Sequence, residues 1–284
     1  MWLNDTATPL ERLRDWADKA TLTDAEAREY EKRYQLDRTA ALTRDTPEFE
    51  LDVAGDLDTY VPGRLLPGNR TSLITDPPDG RIPALTAEAQ ARLKAQTERL
   101  NGHYAEGPEN FTNPERCLQV ANTSSPPMMP AFYNNNFQIV QTRDYVMLVS
   151  EMIHDVRIIP LDGRAHLPPS MGQWKGHSVG HWERDTLVVD TTNFSEKAMF
   201  RGSSTSLHVV ERFSLSDANT LKYQFTIDDR TSFARSWSGE SRMTRTDDRM
   251  FEFACHEANH SLPNTLRGAR FQEKEKETGK TQSK

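Results

Sequence analysis

Seven of the chain's eight histidines lie between Tyr133 and His260, among Asp, Glu, Arg and Asn residues that can move protons or hold oxyanions. Glu151-Met152-Ile153-His154-Asp155-Val156-Arg157 places four ionisable groups in seven residues of an otherwise apolar run. Such groups are costly to bury without partners. On an unbroken strand Glu151, Asp155 and Arg157 share one face and His154 takes the other. The run reads either as a salt-bridge network at a strand bend or as a base and its orienter beside an anion-holding Arg157.

Trp174-Lys175-Gly176-His177-Ser178-Val179-Gly180-His181-Trp182-Glu183 is the second grouping. His177 and His181 are four apart, but the intervening glycine opposes a helix, and HxxxH signals metal mainly on a helix face. Acid/base work, substrate contact and a structural role stay open for both. Trp174 and Trp182 suit a wall for a planar ligand. Tyr133-Asn134-Asn135-Asn136 enters a strand and reads as an Asn-rich turn or a polar ligand-binding lip. Glu211 shares a strand face with Leu207, Val209 and Phe213, so it needs an Arg partner or a raised pKa. His256 and His260 follow the last expected strand, whereas His103 reads as a surface residue. If the 151–157 bend and the 177–181 loop are buried, one wet pocket shared with Tyr133 explains them more economically than separate polar networks.

Several chemistries have no signature. GxGxxG after a strand, GxxxxGK[ST] and GxSxG are missing. No lysine sits in an apolar strand where burial would lower its pKa. No cofactor is therefore expected. Lys+Arg number 35 against 42 Asp+Glu, a formal net charge of -7. That opposes a nucleic-acid partner, which needs a basic face. No run approaches the ~18 apolar residues of a membrane span, and no basic-then-apolar leader opens the sequence. The expected location is cytoplasmic, or exported if a leader precedes this sequence. Cys117 and Cys255 are far apart; buried free thiols are expected in a reducing compartment and a disulfide is open in an oxidising one.

These residues need elements to position them. Pro9, Leu10, Leu13, Trp16, Ala17 and Ala20 fall at helical spacing, and Thr23-Asp24-Ala25-Glu26 forms a capping-box pattern for a second helix. Prolines 47, 62, 67, 77, 78 and 83 make residues 43–85 irregular, and Thr86 can cap a third helix over 86–100. Strands are expected at 137–141, 145–153, 156–161, 182–191, 207–215, 220–227, 238–244 and 250–256. Leu221, Tyr223, Phe225 and Ile227 alternate with polar residues, the mark of one buried face. Sequential hairpins imply an antiparallel meander, and closure removes exposed edges. The expected fold is mainly β: a calycin/lipocalin-like barrel over 106–270, helical and irregular packing over 1–105, and a disordered charged tail over 271–284.

Tyr133-Asn134-Asn135-Asn136, Glu151-Met152-Ile153-His154-Asp155, Pro160-Leu161-Asp162-Gly163-Arg164, Gly180-His181-Trp182-Glu183, residues 185–194 and Cys255-His256-Glu257 together resemble an abundant, mostly uncharacterised bacterial family, over residues 70–270. Many of its members are exported. The pattern is also similar to the phenylcoumaran γ-formaldehyde lyases of lignin-dimer catabolism. That resemblance implies a cofactor-independent lyase that releases formaldehyde from an aromatic dimer. A base would take a hydroxyl proton, and a cation would hold the developing phenoxide. His154 or His181 suits the base, Arg157 the phenoxide, and Tyr133 with Asn134, Asn135 and Asn136 the substrate oxygens. A lipocalin-like carrier and a metal-dependent hydrolase or isomerase using His177, His181, His256 or His260 are the alternatives. Oligomeric state is open, a homo-oligomer included.

Overall fold

The computed structural model describes residues 1–284 except 17, 44–62, 104, 121, 131–132, 199, 258 and 283–284, and gives backbone alone for 38–43, 101–102 and 279–282. Pro47 and Pro62 lie outside the described residues. The strands are β1 (Trp2–Leu3), β2 (Ile74–Asp76), β3 (Asn136–Gln141), β4 (Tyr145–Ser150), β5 (Val156–Pro160), β6 (His177–Glu183), β7 (Thr186–Thr192), β8 (His208–Asp217), β9 (Thr220–Asp228) and β10 (Trp237–Arg245). The longer helices are α1 (Asp24–Thr43), α2 (Ala87–His103) and α3 (Ser261–Gln282).

All ten strands join one antiparallel sheet in the order β5-β4-β3-β1-β10-β9-β8-β7-β6, with β2 on β10. Alternation makes one face the core: Leu221, Tyr223, Phe225 and Ile227 of β9 are buried, as are Val209, Glu211 and Phe213 of β8. Residues 123–129 are buried as well, and Met128 and Met129 pack into that core.

No ladder joins β5 to β6, so the sheet is not closed into the expected barrel. β5 ends at Pro160, which has no N–H for a ladder, and residues 161–176 leave the sheet before β6 begins. The two edges still approach. A Cβ on Gly180 of β6 would lie 2.8 Å from Ile159 Cγ2 of β5.

Tertiary contacts override several local patterns. The helical spacing over 9–20 yields only a 3-10 turn at Arg14–Trp16. Backbone carbonyls of Pro9 and Leu10 instead accept from Leu73 and Ile74, and Arg12 N donates to Gly80. The capping box forms as expected: Thr23 N donates to Glu26 Oε2 (2.9 Å) and Glu26 N to Thr23 Oγ1 (3.3 Å). Thr86 Oγ1 accepts from Ala89 N and opens α2. The span expected as one strand at 182–191 is the β6–β7 hairpin, turning at Arg184 with φ 55°. Residues 250–256, expected as a strand, find no partner strand. Their backbone is held by side chains, as when Phe251 N donates to Glu151 Oε1 (2.8 Å). The charged tail is helical as far as Gln282.

Candidate functional site

The 151–157 run is bent and not one strand. β4 stops at Ser150, and Ile153 and His154 take positive φ of 60° and 43°. A β-branched residue there costs on the order of 1–3 kcal/mol and must be held by its surroundings. Glu151 does much of the holding. It is buried, accepts from Asn136 Nδ2 (2.9 Å) and Phe251 N, and its own N–H donates to Asn136 O (3.0 Å). Asp155 accepts from Ser124 Oγ and from Lys175 Nζ, each at 2.5 Å, which ties the bend to the loop before β6. His154 is exposed, with Nδ1 3.1 Å from Phe253 O. Glu151 and Asp155 thus follow the structural reading of this run.

The Asn row divides in the same way. Asn134 sits at φ 52° and is half-buried; Asn135 is buried, its carbonyl accepting from Asn4 N (3.0 Å); Asn136 serves Glu151. Tyr133 is 44% exposed and its ring stacks on Phe253.

Arg157 points into the core, away from the bend's other charges. Its Nη2 donates to Glu211 Oε2 at 2.6 Å, with the two side chains 5% and 0% exposed. Glu211 Oε1 accepts from Tyr223 Oη (2.9 Å), which accepts in turn from Met128 N (2.7 Å). Burial, then the Glu211 charge, pushes the Tyr223 phenol well above its ordinary value. The partner expected for Glu211 is therefore present, but the pair is enclosed.

β6 carries His177 on the opposite, outer face, because buried Ser178 and Gly180 alternate with it. There four groups form a chain. His208 Nε2 and His166 Nε2 each lie 2.8 Å from one oxygen of Asp190, and His166 Nδ1 lies 3.1 Å from His177 Nδ1. With Nε2–H of His166 donated to the carboxylate, its Nδ1 accepts from His177. The hydrogen bond to Asp190 raises the His208 pKa, and that bond lowers the Asp190 pKa. Burial, then coulombic repulsion from the His166 and Arg164 side, lowers that of His177. Sequence reading missed His166, Asp190 and His208. The available signals were an acid inside a Val-rich strand and a histidine at a strand entrance.

His181 is exposed beside Glu183 (3.3 Å), whose other oxygen accepts from Arg212. Trp174 is half-buried in the loop, and Trp182 and His256 are exposed. Of the three segments expected to share a pocket, Tyr133 and Met152 of the bend line one cavity, whereas the 177–181 segment does not line it, because strand alternation turns His177 to the outer face. Among the described residues, no three His, Cys, Asp or Glu side chains converge to hold a metal ion. No helix among them is long and apolar enough to cross a membrane. Cys117 and Cys255, expected as free thiols in a cytoplasmic protein, form a disulfide with Cα atoms 5.8 Å apart. Asn259 Nδ2 donating to Glu115 O (2.8 Å) helps bring their segments together.

What Tyr133 does line is a cavity of about 590 Å³, walled also by Tyr30, Tyr34, Phe200, Met129 and Met152. Tyr30 Oη donates to Ala7 O (3.1 Å), and burial helps raise its pKa to about 12. Arg201 lies on the same wall and forms no hydrogen bond or ion pair with a described residue. It is presented by a turn in which Arg201 and Gly202 have φ of 53° and 85°, closed by Ser203 N donating to Phe200 O (2.9 Å). Leu93 packs 2.9 Å from where a Gly202 Cβ would stand, so a glycine is needed there. The chain matches no family model, no curated protein and no solved structure.

Proposed function

We propose that this protein binds a small aromatic compound bearing an anionic oxygen, a carboxylate or phenolate. The observation that carries the reading is a cavity lined by Tyr30, Tyr34, Tyr133 and Phe200 together with Arg201, an exposed cation that forms no hydrogen bond or ion pair with a described residue. Its volume suits one or two aromatic rings, and an apolar pocket with few polar anchors is the usual form of a small-molecule site. Arg201 would hold the oxyanion, and the rings would stack on or edge against the ligand. The near approach of the two sheet edges at Gly180 and Ile159 supports a calycin-like architecture for such a carrier. The disulfide supports an exported location.

The lyase chemistry implied by family resemblance would have to draw on this cavity. Its titratable wall groups are three phenols and one guanidinium, and Tyr30, at about 12, is no base near neutrality. His154, His177 and His181 do not line it. Binding is therefore the better-supported activity. Calorimetric titration with vanillate and with a phenylcoumaran dimer tests it, with formaldehyde assayed in the same samples. Saturable binding that Arg201→Gln weakens about tenfold, ~1.4 kcal/mol, supports the reading. Absence of saturation with both ligands overturns it, and formaldehyde release would restore the lyase.

A further inference from the structure

A second volume, about 690 Å³, lies between one face of α2 and the 109–116 loop, and neither the aromatic cavity nor the core polar network touches it. Arg92, Ala95, Gln96, Arg99 and Leu100 recur at helical spacing, so a single α2 face forms one wall. Phe111, Arg116 and Lys197 stand among the residues of the other wall. The lining holds four cations, Arg92, Arg99, Arg116 and Lys197, against two carboxylates, Glu109 and Glu196. This local excess of positive charge stands out in a chain of net charge -7.

Three of the four cations have no carboxylate partner among the described residues. Arg92 is committed, to Glu88 Oε1 (2.7 Å), Ser232 Oγ (2.6 Å) and Gly202 O (3.2 Å). Arg99 donates only to the backbone carbonyl of Glu109, at 3.3 Å. Arg116 and Lys197 form no side-chain hydrogen bond or ion pair with any described residue. The Glu109 carboxylate lies against Gly107.

The walls are also fixed. Glu115 Oε2 accepts from Thr112 N (2.8 Å) and Thr112 Oγ1 (2.6 Å), and Arg116 N donates to Thr112 O (3.1 Å). Asn113 Nδ2 donates to Lys197 O (2.9 Å), joining the two segments that carry Arg116 and Lys197. Cys117, next to Arg116, is bonded to Cys255. An anchored backbone beneath the cations leaves only their side chains to be ordered when a ligand arrives. Ala95, Leu100 and Phe111 add apolar wall between the charges.

We propose that this cleft binds a small organic dianion, with an apolar body of a few carbons and two carboxylate or phosphate groups. Arg99, Arg116 and Lys197 take its anionic ends, and Phe111 with Leu100 contacts the body. The site is independent of the aromatic cavity and would stand if that reading failed.

Calorimetry of the full chain at low salt with pyrophosphate and with adipate tests this. Expected is saturable one-site binding of at least one probe. Arg116→Gln and Lys197→Gln should each weaken it by about tenfold, the scale of one lost charge-assisted hydrogen bond. Neither side chain has a hydrogen-bond or ion-pair partner among the described residues, so far-ultraviolet circular dichroism should be unchanged. Tighter pyrophosphate assigns a phosphorylated ligand, and tighter adipate a dicarboxylate. Arg143→Gln removes an exposed cation outside this cleft and should leave affinity unchanged. No saturation with either probe overturns the proposal, as does equal weakening by Arg143→Gln, which would mark nonspecific charge attraction.

Discussion

The ring of Tyr133 lies over that of Phe253, centroids 6.5 Å apart and planes 15° from parallel. A wall of the aromatic cavity is thereby braced by a segment nearer the other end of the chain. That segment, residues 250–256, has no strand partner and is held at separate points: Phe251 N on Glu151, Phe253 O beside His154 Nδ1, and Cys255 bonded to Cys117. The strained bend at Ile153 and the cavity wall at Tyr133 are therefore supported by the same strap.

Removing the covalent tie should show this. The disulfide closes a separation of 138 residues, and loss of a native disulfide costs roughly 2–5 kcal/mol. Cys117→Ser with Cys255→Ser should lower the urea midpoint accordingly. Hydrogen exchange should rise first in 250–256 and near Tyr133. An unchanged midpoint would mean that the strap is secured by its noncovalent contacts alone.

The Arg157–Glu211 pair gives a second test. Breaking a buried pair by deleting one partner costs about 3–5 kcal/mol, whereas replacing both by apolar residues is often near neutral. Arg157→Met strands a carboxylate that keeps only Tyr223 as a donor; Glu211→Leu strands a guanidinium already carrying unpartnered Nε and Nη1. The double variant should be more stable than either single one in denaturant titration. Additive losses would show that the two charges do not depend on each other.

How much of this could be read beforehand follows from which interactions are local. The capping box at Thr23 and Glu26 and the alternation from Leu221 to Ile227 depend on near neighbours, and both elements formed where the pattern placed them. The 9–20 helix failed because Pro9 and Leu10 found partners some sixty residues away, at Leu73 and Ile74. At the site, Glu211's need for a cation was legible from burial on an apolar face. That the cation is Arg157, across the core, was not, because it depends on how β5 faces β8. His166 joins Asp190 and His177 only when the loop before β6 folds onto the sheet, which no spacing encodes. Arg201 was not singled out as a binding residue, since an exposed arginine in a turn resembles any surface arginine.

Gly180 marks the seam between the sheet edges. A Cβ there would meet Ile159 Cγ2 at 2.8 Å and Leu161 Cδ2 at 3.1 Å, and Ile159 is fully buried and cannot step aside. Gly180→Ala should cost about 1–3 kcal/mol through overpacking. A thermal midpoint equal to that of the parent would show that the edges part without penalty.

The His208–Asp190–His166–His177 chain should give stability a maximum near pH 6.5, the ordinary histidine value. His208, raised by Asp190, binds its proton more tightly when folded. Its contribution is complete below 6.5 and is lost as pH rises through the folded value. His177, lowered by burial and by nearby positive charge, binds its proton less tightly when folded. Its contribution is present above 6.5 and is lost as pH falls toward its folded value. The loss has a geometric cause: with His166 donating to Asp190, protonating both rings would set two N–H groups against each other across 3.1 Å. Urea midpoints across pH 5 to 8 should therefore decline on both sides for the parent. His177→Gln should flatten the acid limb and His208→Gln the alkaline limb, and a profile that neither substitution alters would refute the coupling.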